Sequence, residues 1–340
     1  MMVQSLLKEL LAGHDLDAEQ MRGAMREIME GEASPAQIAG FLVALRLKGE
    51  TVTEITAAAE VMREKAQAVP VSETLRAALV DTCGTGGDGA GLFNVSTATA
   101  LLLAALGVPV AKHGNRSVSS KSGSADVLAT LGVNLELSPE QAAQALQSSG
   151  FAFLFAPLYH PAMKHAIGPR RELGIRTIFN VLGPLTNPAG AQRQVLGVFD
   201  EALLRPLAEV LCRLGSKHAL VVHGTDSTDE ISACAATKVC EMRDGEYLEY
   251  VVEPEHFGLQ RVAMNDLVVE SAEQSAQIIK EALGGTPGAA TTAIAMNAGA
   301  GLYVAGQASS LAAGVSQALA ALEKGIALDF LTALQQQSRD

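Results

Sequence analysis

The chain has 340 residues and a formal charge of −12; 48% of its residues are hydrophobic, but only 4% are aromatic and tryptophan is absent. That length allows one large domain beside a small one. The acidity excludes a protein whose whole surface holds nucleic acid, though not a local basic pocket.

Residues 1–70 read as a helical unit. Asp17 with Gln20 has the spacing of a capping box, and Ser34-Pro35 with Gln37 gives a second helix start. PAQIAGFLVALRLKG places Ile38, Phe41, Leu42 and Leu45 on one face and stops at Gly49, and TEITAAAEVMREKA continues with Ile55, Ala58, Ala59 and Met62. Such apolar faces are expected to meet either the rest of the chain or a second copy of it.

After Pro70 glycine loops separate short apolar runs from helical ones, the rhythm of an α/β sheet. LVDTCG, GVPVAKHG, FAFLFAP, VLGVF and HALVVHG are predicted strands. STATALLLAALG, SADVLATLG and PLAEVLCRLG are predicted helices, and EYLEYVVEPEHFG is a polar strand suited to a sheet edge. SAEQSAQIIKEAL, AATTAIAMNAGAGLYVAG and SLAAGVSQALAALEKG are predicted to close the domain as helices. Cys83, Cys212, Cys234 and Cys240 lack metal-site spacing and suit a reducing compartment. No cationic stretch precedes an apolar run at the N-terminus, and ATALLLAALGVPVA is too short to span a membrane, so a cytoplasmic protein is expected.

Three stretches carry chemistry. GTGGDG, residues 84–89, follows a predicted strand and precedes a helix, where backbone amides can surround a phosphate. It has neither the dinucleotide GxGxxG spacing nor the GxxxxGK[ST] pattern. Asn94, Ser96 and Thr97 follow it, either as helix caps or as part of a phosphate and ribose site. Asp88 would repel a bare phosphate, so it accepts ribose hydroxyls or meets water on a metal. The second stretch, residues 112–126, concentrates Lys112, Arg116, Lys121 and five serines, with no acid between Asp88 and Asp126, which favours a polyphosphate pocket. In the third, HGTDSTDEIS, Asp229 and Glu230 follow a strand and can reach hydrated Mg²⁺ at its carboxyl end, or else lie solvated on the surface. Arg170, Arg171 and Arg176 form a further basic cluster, and one of them is matched to an organic carboxylate.

GTGGD, FNVSTATA, KHGNRSVSSKSGSADVL, HPAMK, RRELGIRTIFNVLGPLTNP and NAGAGLYVAG occur in the order and nearly the spacing of the anthranilate phosphoribosyltransferases. The chain resembles that family from its first helices to its last. The resemblance implies transfer of phosphoribosyl from 5-phosphoribosyl 1-diphosphate to anthranilate in tryptophan biosynthesis, with two Mg²⁺ ions per monomer. It also implies the nucleoside phosphorylase/phosphoribosyltransferase-like fold (type III phosphoribosyltransferase fold), α/β with a small helical N-terminal domain. That domain is expected over residues 1–72 as a dimerisation region, beside an α/β catalytic domain over 73–340. A segment near 165–190 is expected to pack with the helical domain. The product would be a cytoplasmic homodimer that binds small molecules and neither membrane nor nucleic acid.

Carried over by motif, the donor would meet Gly84, Gly87, Asp88, Asn94, Val95, Ser96 and Thr97, with Leu92 contributing only backbone. Lys112, His113, Gly114, Asn115, Arg116, Ser117, Val118, Ser119, Ser120 and Ser124 would close around its phosphates and ribose. Gly84, Asn115 and Arg170 would meet anthranilate, while Ser96, Asp229 and Glu230 would hold metal, with Glu230 bridging two ions. No residue is expected to act as a discrete acid or base. STDE and DLVVESAEQSA depart from the family's usual GLDE and GGDAAENA. The competing expectations are a pyrimidine nucleoside phosphorylase-like enzyme and a non-catalytic relative that binds nucleic acid.

Overall fold

The computed structural model describes residues 2–117 and 121–338. The first helices are α1 (Met2–Leu11), α2 (Ala18–Met29), α3 (Pro35–Lys48) and α4 (Val52–Glu64). Both predicted capping boxes form: Asp17 and Ser34 each accept from the backbone amide three residues on, and Gln20 and Gln37 reach back. Thr51 and Glu54 build a third at the start of α4, and Gly49, at φ 91°, ends α3 in a conformation open to glycine.

After α5 (Glu73–Ala78) the chain alternates: β1 (Val80–Gly84), α6 (Val95–Ala105), β2 (Val110–Gly114), α7 (Ser124–Thr130), α8 (Pro139–Ser148) and β3 (Phe151–Phe155). The short α9 (Ala156–Tyr159) leads to α10 (Lys164–Leu173) and α11 (Ile178–Leu185). Then come β4 (Arg193–Gly197), α12 (Leu204–Arg213), β5 (His218–Gly224), β6 (Thr237–Arg243) and β7 (Glu246–Val252). The chain closes with α13 (Ala272–Leu283), α14 (Ala289–Val304), α15 (Leu311–Glu323) and α16 (Ile326–Gln337).

Among the described residues the strands form one sheet in the order β3-β2-β1-β4-β5-β6-β7. The first five strands are parallel, β6 and β7 are antiparallel, and β7 is the polar edge. Along β5 the pleat sends Leu220 and Val222 into one core and Ala219 and Val221 into the other. Helices α6 and α13–α16 cover the first face, and α12 with the helical unit covers the second. Connections from β1 run toward β3 and those from β4 run toward β7, so the order reverses between β1 and β4. In open parallel sheets that reversal opens a crevice at the strands' carboxyl ends.

Two elements from mid-chain, α10 and α11, return to α2, α3 and α4. Ala166, Ile178, Phe179, Leu182 and Leu185 are buried with Ile38, Phe41, Leu42 and Leu45 in the same core. Of the two alternatives for this apolar face, packing against the rest of the chain is the one observed, and a dimer face that includes some of Ile38, Phe41, Leu42 and Leu45 is corrected. They are at most 1% exposed within a single chain, because α1 and α10 already cover them. Among the described residues no single helix is long and apolar enough to cross a membrane.

Candidate active site

β1 and β4 run in register, so Gly84 and Gly197 sit side by side at the mouth of the crevice. The chain beyond β5 lays Asp229 across both. A Cβ on Gly197 would overlap the Asp229 carbonyl oxygen, and one on Gly84 would overlap its carboxylate. Close approach of a second segment, rather than a turn, requires these two glycines. The Asp229 carboxylate accepts from Gly86 N–H at 2.7 Å, and Glu230 accepts from Ser96 N–H in the first turn of α6 at 3.1 Å. Enclosure, followed by the charge of Asp88, pushes Asp229 up to about 7, and enclosure followed by Asp229 pushes Glu230 up to about 8. The cluster is short of positive charge.

Lys112 supplies some of it. The second basic stretch suggested a loop cation, but Lys112 lies on β2, is 1% exposed and reaches beneath the glycine loop. Its Nζ donates to Thr82 O at 2.6 Å and to Ser96 Oγ at 3.2 Å. Burial pushes its pKa down, opposed first by Asp81. Asp81 escaped the sequence reading. Fully buried, it accepts from Asn187 Nδ2 at 2.8 Å and from His113 N–H at 3.3 Å, and burial raises it to about 6. An acid inside the apolar run LVDTCG was the available signal, because such a group must be paired.

Asn94 precedes α6 yet makes no side-chain cap. Its Oδ1 accepts from Ser122 Oγ at 2.7 Å and Ser275 Oγ at 2.8 Å, while Nδ2 donates to Ser122 O at 3.1 Å, so it ties both loops to α13. Leu92 bridges to Val268 and packs its side chain on the core; Val95 and Thr97 are buried behind the loop. Asp126 organises the second loop, accepting from Arg116 Nη1 and from the amides of Ser117 and Gly123. Ser124 Oγ donates to Asn115 O, beside Gly114, where a Cβ would overlap Ser124. Lys121 pairs with Glu270 at 2.7 Å. Arg116 and Lys121 are thus each paired with an acid. Val118, Ser119 and Ser120 lie outside the described residues.

The helical layer contributes arginines. Arg176 stacks over Phe199 with its guanidinium 4.1 Å from the ring centroid and donates to Gly87 O, at a glycine with φ +76°. Half-buried Arg170 lies over the Phe179 ring at 5.1 Å, and desolvation lowers its pKa. Arg171 is exposed.

His113 packs against His160 with ring centroids 5.0 Å apart, and its Nδ1 lies 3.1 Å from Gly183 O. The Nε2 atoms of both rings are buried without a partner among the described residues. Burial lowers His113 to about 3, with help from His160, and lowers His160 to about 4. Folded values below the unfolded ~6.5 mean stability that is complete above that pH and lost as pH falls through 6 toward 4. Asp81, Asp229 and Glu230, raised in the fold, gain stability over the same descent and oppose that loss. Comparison with a variant isolates the histidine. His160→Asn is expected to lose roughly 1–2 kcal/mol less than the parent between pH 7 and pH 5, read from urea midpoints at each pH.

Among the described residues no group of three or more His, Cys, Asp or Glu side chains converges on one point. Asp229 and Glu230 instead offer two carboxylates beside the glycine loop. That suits Mg²⁺, which keeps waters and shares its remaining ligands with substrate phosphates.

Residues 76–328 match the glycosyl transferase family, a/b domain, and residues 4–66 match that family's helical bundle domain, so the class is a glycosyl transferase. The chain is 55% identical over 332 residues to anthranilate phosphoribosyltransferase of Thioalkalivibrio sulfidiphilus, covering 98% of this chain and 97% of the relative. The anthranilate phosphoribosyltransferase of Thermus thermophilus superposes with a TM-score of 0.92 at 46% identity, covering 98% and 99% of the two chains. That of Saccharomyces cerevisiae, solved in complex with PRPP and Mg, gives 0.90 at 26% identity, covering 99% and 98%. The chain belongs to the anthranilate phosphoribosyltransferase family. Neither the nucleoside phosphorylase nor the nucleic-acid reading is favoured by these relatives.

Proposed function

We propose that this chain transfers the phosphoribosyl group of 5-phosphoribosyl 1-diphosphate to anthranilate, giving N-(5-phosphoribosyl)anthranilate and diphosphate. The observation that carries the reading is the acidic pair, held by Gly86 and Ser96 amides over twin glycines at the sheet's switch point. The ribose C1–O bond to diphosphate breaks, a C1–N bond to the aromatic amine forms, and the amine proton passes to solvent. An aniline-type nitrogen is neutral at pH 7, so positioning and charge stabilisation suffice without a strong base. Asp229, Glu230 and Ser96 would hold Mg²⁺, two ions in this reading, which would supply positive charge to the departing diphosphate.

The glycine loop, Asn94, the second loop and Lys112 hold the donor. Gly84, Asn115 and Arg170 face the acceptor in this reading. The enzyme works in the cytoplasm as a homodimer joined through its helical unit. With α3's apolar face used internally, the interface draws on the outside of that unit, where Leu11 and Leu47 are exposed. Light scattering at micromolar concentration is expected to give twice the chain mass.

The direct test mixes protein, Mg²⁺, donor and anthranilate and follows loss of anthranilate fluorescence. Arg170→Ala is expected to lower anthranilate efficiency about tenfold or more at saturating donor, leaving donor affinity nearly unchanged, as loss of a bidentate carboxylate contact requires. Parental efficiency in that variant, with loss in Arg171→Ala or Arg176→Ala instead, would move the acceptor contact to another arginine.

A further inference from the structure

The NAGAG run in α14 is a part of the sequence pattern that the site so far leaves without a task. Two of its glycines are steric. A Cβ on Gly299 would press within 2.8 Å of the Val315 backbone in α15, and one on Gly301 would press against the Leu103 side chain in α6. The small residues let α14 sink between those helices, and this depth brings Asn297, 2% exposed, to the loop after β5.

There its amide makes a paired contact with one residue. Asn297 Oδ1 accepts from Ile231 N–H at 3.0 Å, and Nδ2 donates to Ile231 O at 3.0 Å and to Ala293 O at 2.9 Å. The side chain thus closes on Ile231 as a neighbouring strand would, satisfying both backbone groups of the residue that follows Glu230. A buried amide with these three contacts fixes the position and rotation of the peptide that carries the acidic pair. Asn297 also shares a small cavity with Ser96, Gly197 and Glu230.

We infer that Asn297 is a positioning residue for the reaction: its amide clamp on Ile231 sets where Asp229 and Glu230 present their carboxylates to Mg²⁺ and the donor's diphosphate. The inference rests on the metal role assigned to that pair. It gives α14 a defined part in metal-assisted donor binding.

The test is calorimetric titration of 5-phosphoribosyl 1-diphosphate into protein at graded Mg²⁺, without acceptor, so that no turnover enters. Asn297→Ala is expected to raise the Mg²⁺ concentration for half-maximal donor binding about tenfold and to speed hydrogen exchange at the Ile231 amide. Its anthranilate KM at saturating Mg²⁺ and donor stays parental. Val315→Ala serves as a control, because it loosens the same helix pair away from the clamp and is expected to leave the Mg²⁺ requirement alone. If Asn297→Ala does not fold, Asn297→Ser is used, whose hydroxyl can return to the Ala293 carbonyl but is too short to span to Ile231. An unchanged Mg²⁺ requirement in a folded Asn297 variant, alongside a raised one in Glu230→Gln, overturns the clamp alone. Parental Mg²⁺ dependence in Glu230→Gln removes the metal role of the pair and the inference with it. An equal shift in Val315→Ala reduces Asn297 to a packing residue.

Discussion

Replacing Asp229 with Asn and Glu230 with Gln together is expected to lower turnover about a hundredfold or more while the protein stays folded. Each replacement keeps an oxygen able to accept from Gly86 or Ser96, so the loop retains its anchors. What disappears is negative charge. The burial of charge, and after it the like-charge repulsion, that raises both carboxyls to about 7 and about 8 is relieved, and the thermal midpoint at pH 8 is expected to stay level or rise. Lost activity with undiminished stability separates a metal-holding pair from a structural one. Steady-state rates across a Mg²⁺ titration provide the check, and a parental curve would take the pair out of the metal role.

Gly197→Ala should be comparably damaging for a steric reason. Its added methyl would fall on the Asp229 carbonyl, which belongs to backbone and cannot rotate away. Either β4 or the acidic loop must move. Overpacking of this kind costs roughly 1–3 kcal/mol, and a displacement of about an ångström at reacting groups costs about a hundredfold in rate. Gly168→Ala, where the new Cβ meets no heavy atom within 4 Å among the described residues beyond its own helix's nearby backbone, is the matched control and should be nearly silent. Urea midpoints and initial rates of both variants decide it; a fully active Gly197→Ala would mean that the loop yields freely.

What the sequence revealed follows from how local each signal is. Capping boxes at Asp17 and Ser34 act within four residues and were legible, as was the alternation of glycine loops with apolar runs. β6 was not legible, because both its faces are covered and its side chains show no period-two contrast. Helices α8 and α16 lie outside the predicted elements as well. The acidic pair could be suspected from its place after a strand, but Gly197 could not be tied to it: their contact joins two segments that only the sheet brings together. Lys112 reads as one of several basic residues until β2 buries it, and Asn94 reads as a cap until Ser275 arrives from α13. The two loops were legible as segments; the side chains that fix them in place were not.

The return of α10 and α11 to the helical unit has a consequence for any attempt to divide the protein. Cutting the chain between α4 and α5 would strip the cover from Ala166, Ile178, Phe179 and Leu182, leaving a greasy scar on the larger fragment. The same two helices carry Arg170 and lead into Arg176, which touches the glycine loop. A chimera that exchanged residues 1–66 alone would therefore set foreign helices against native α10 and α11. Residues 164–185 have to travel with the N-terminal helices, or the graft fails at a seam that linear order does not reveal.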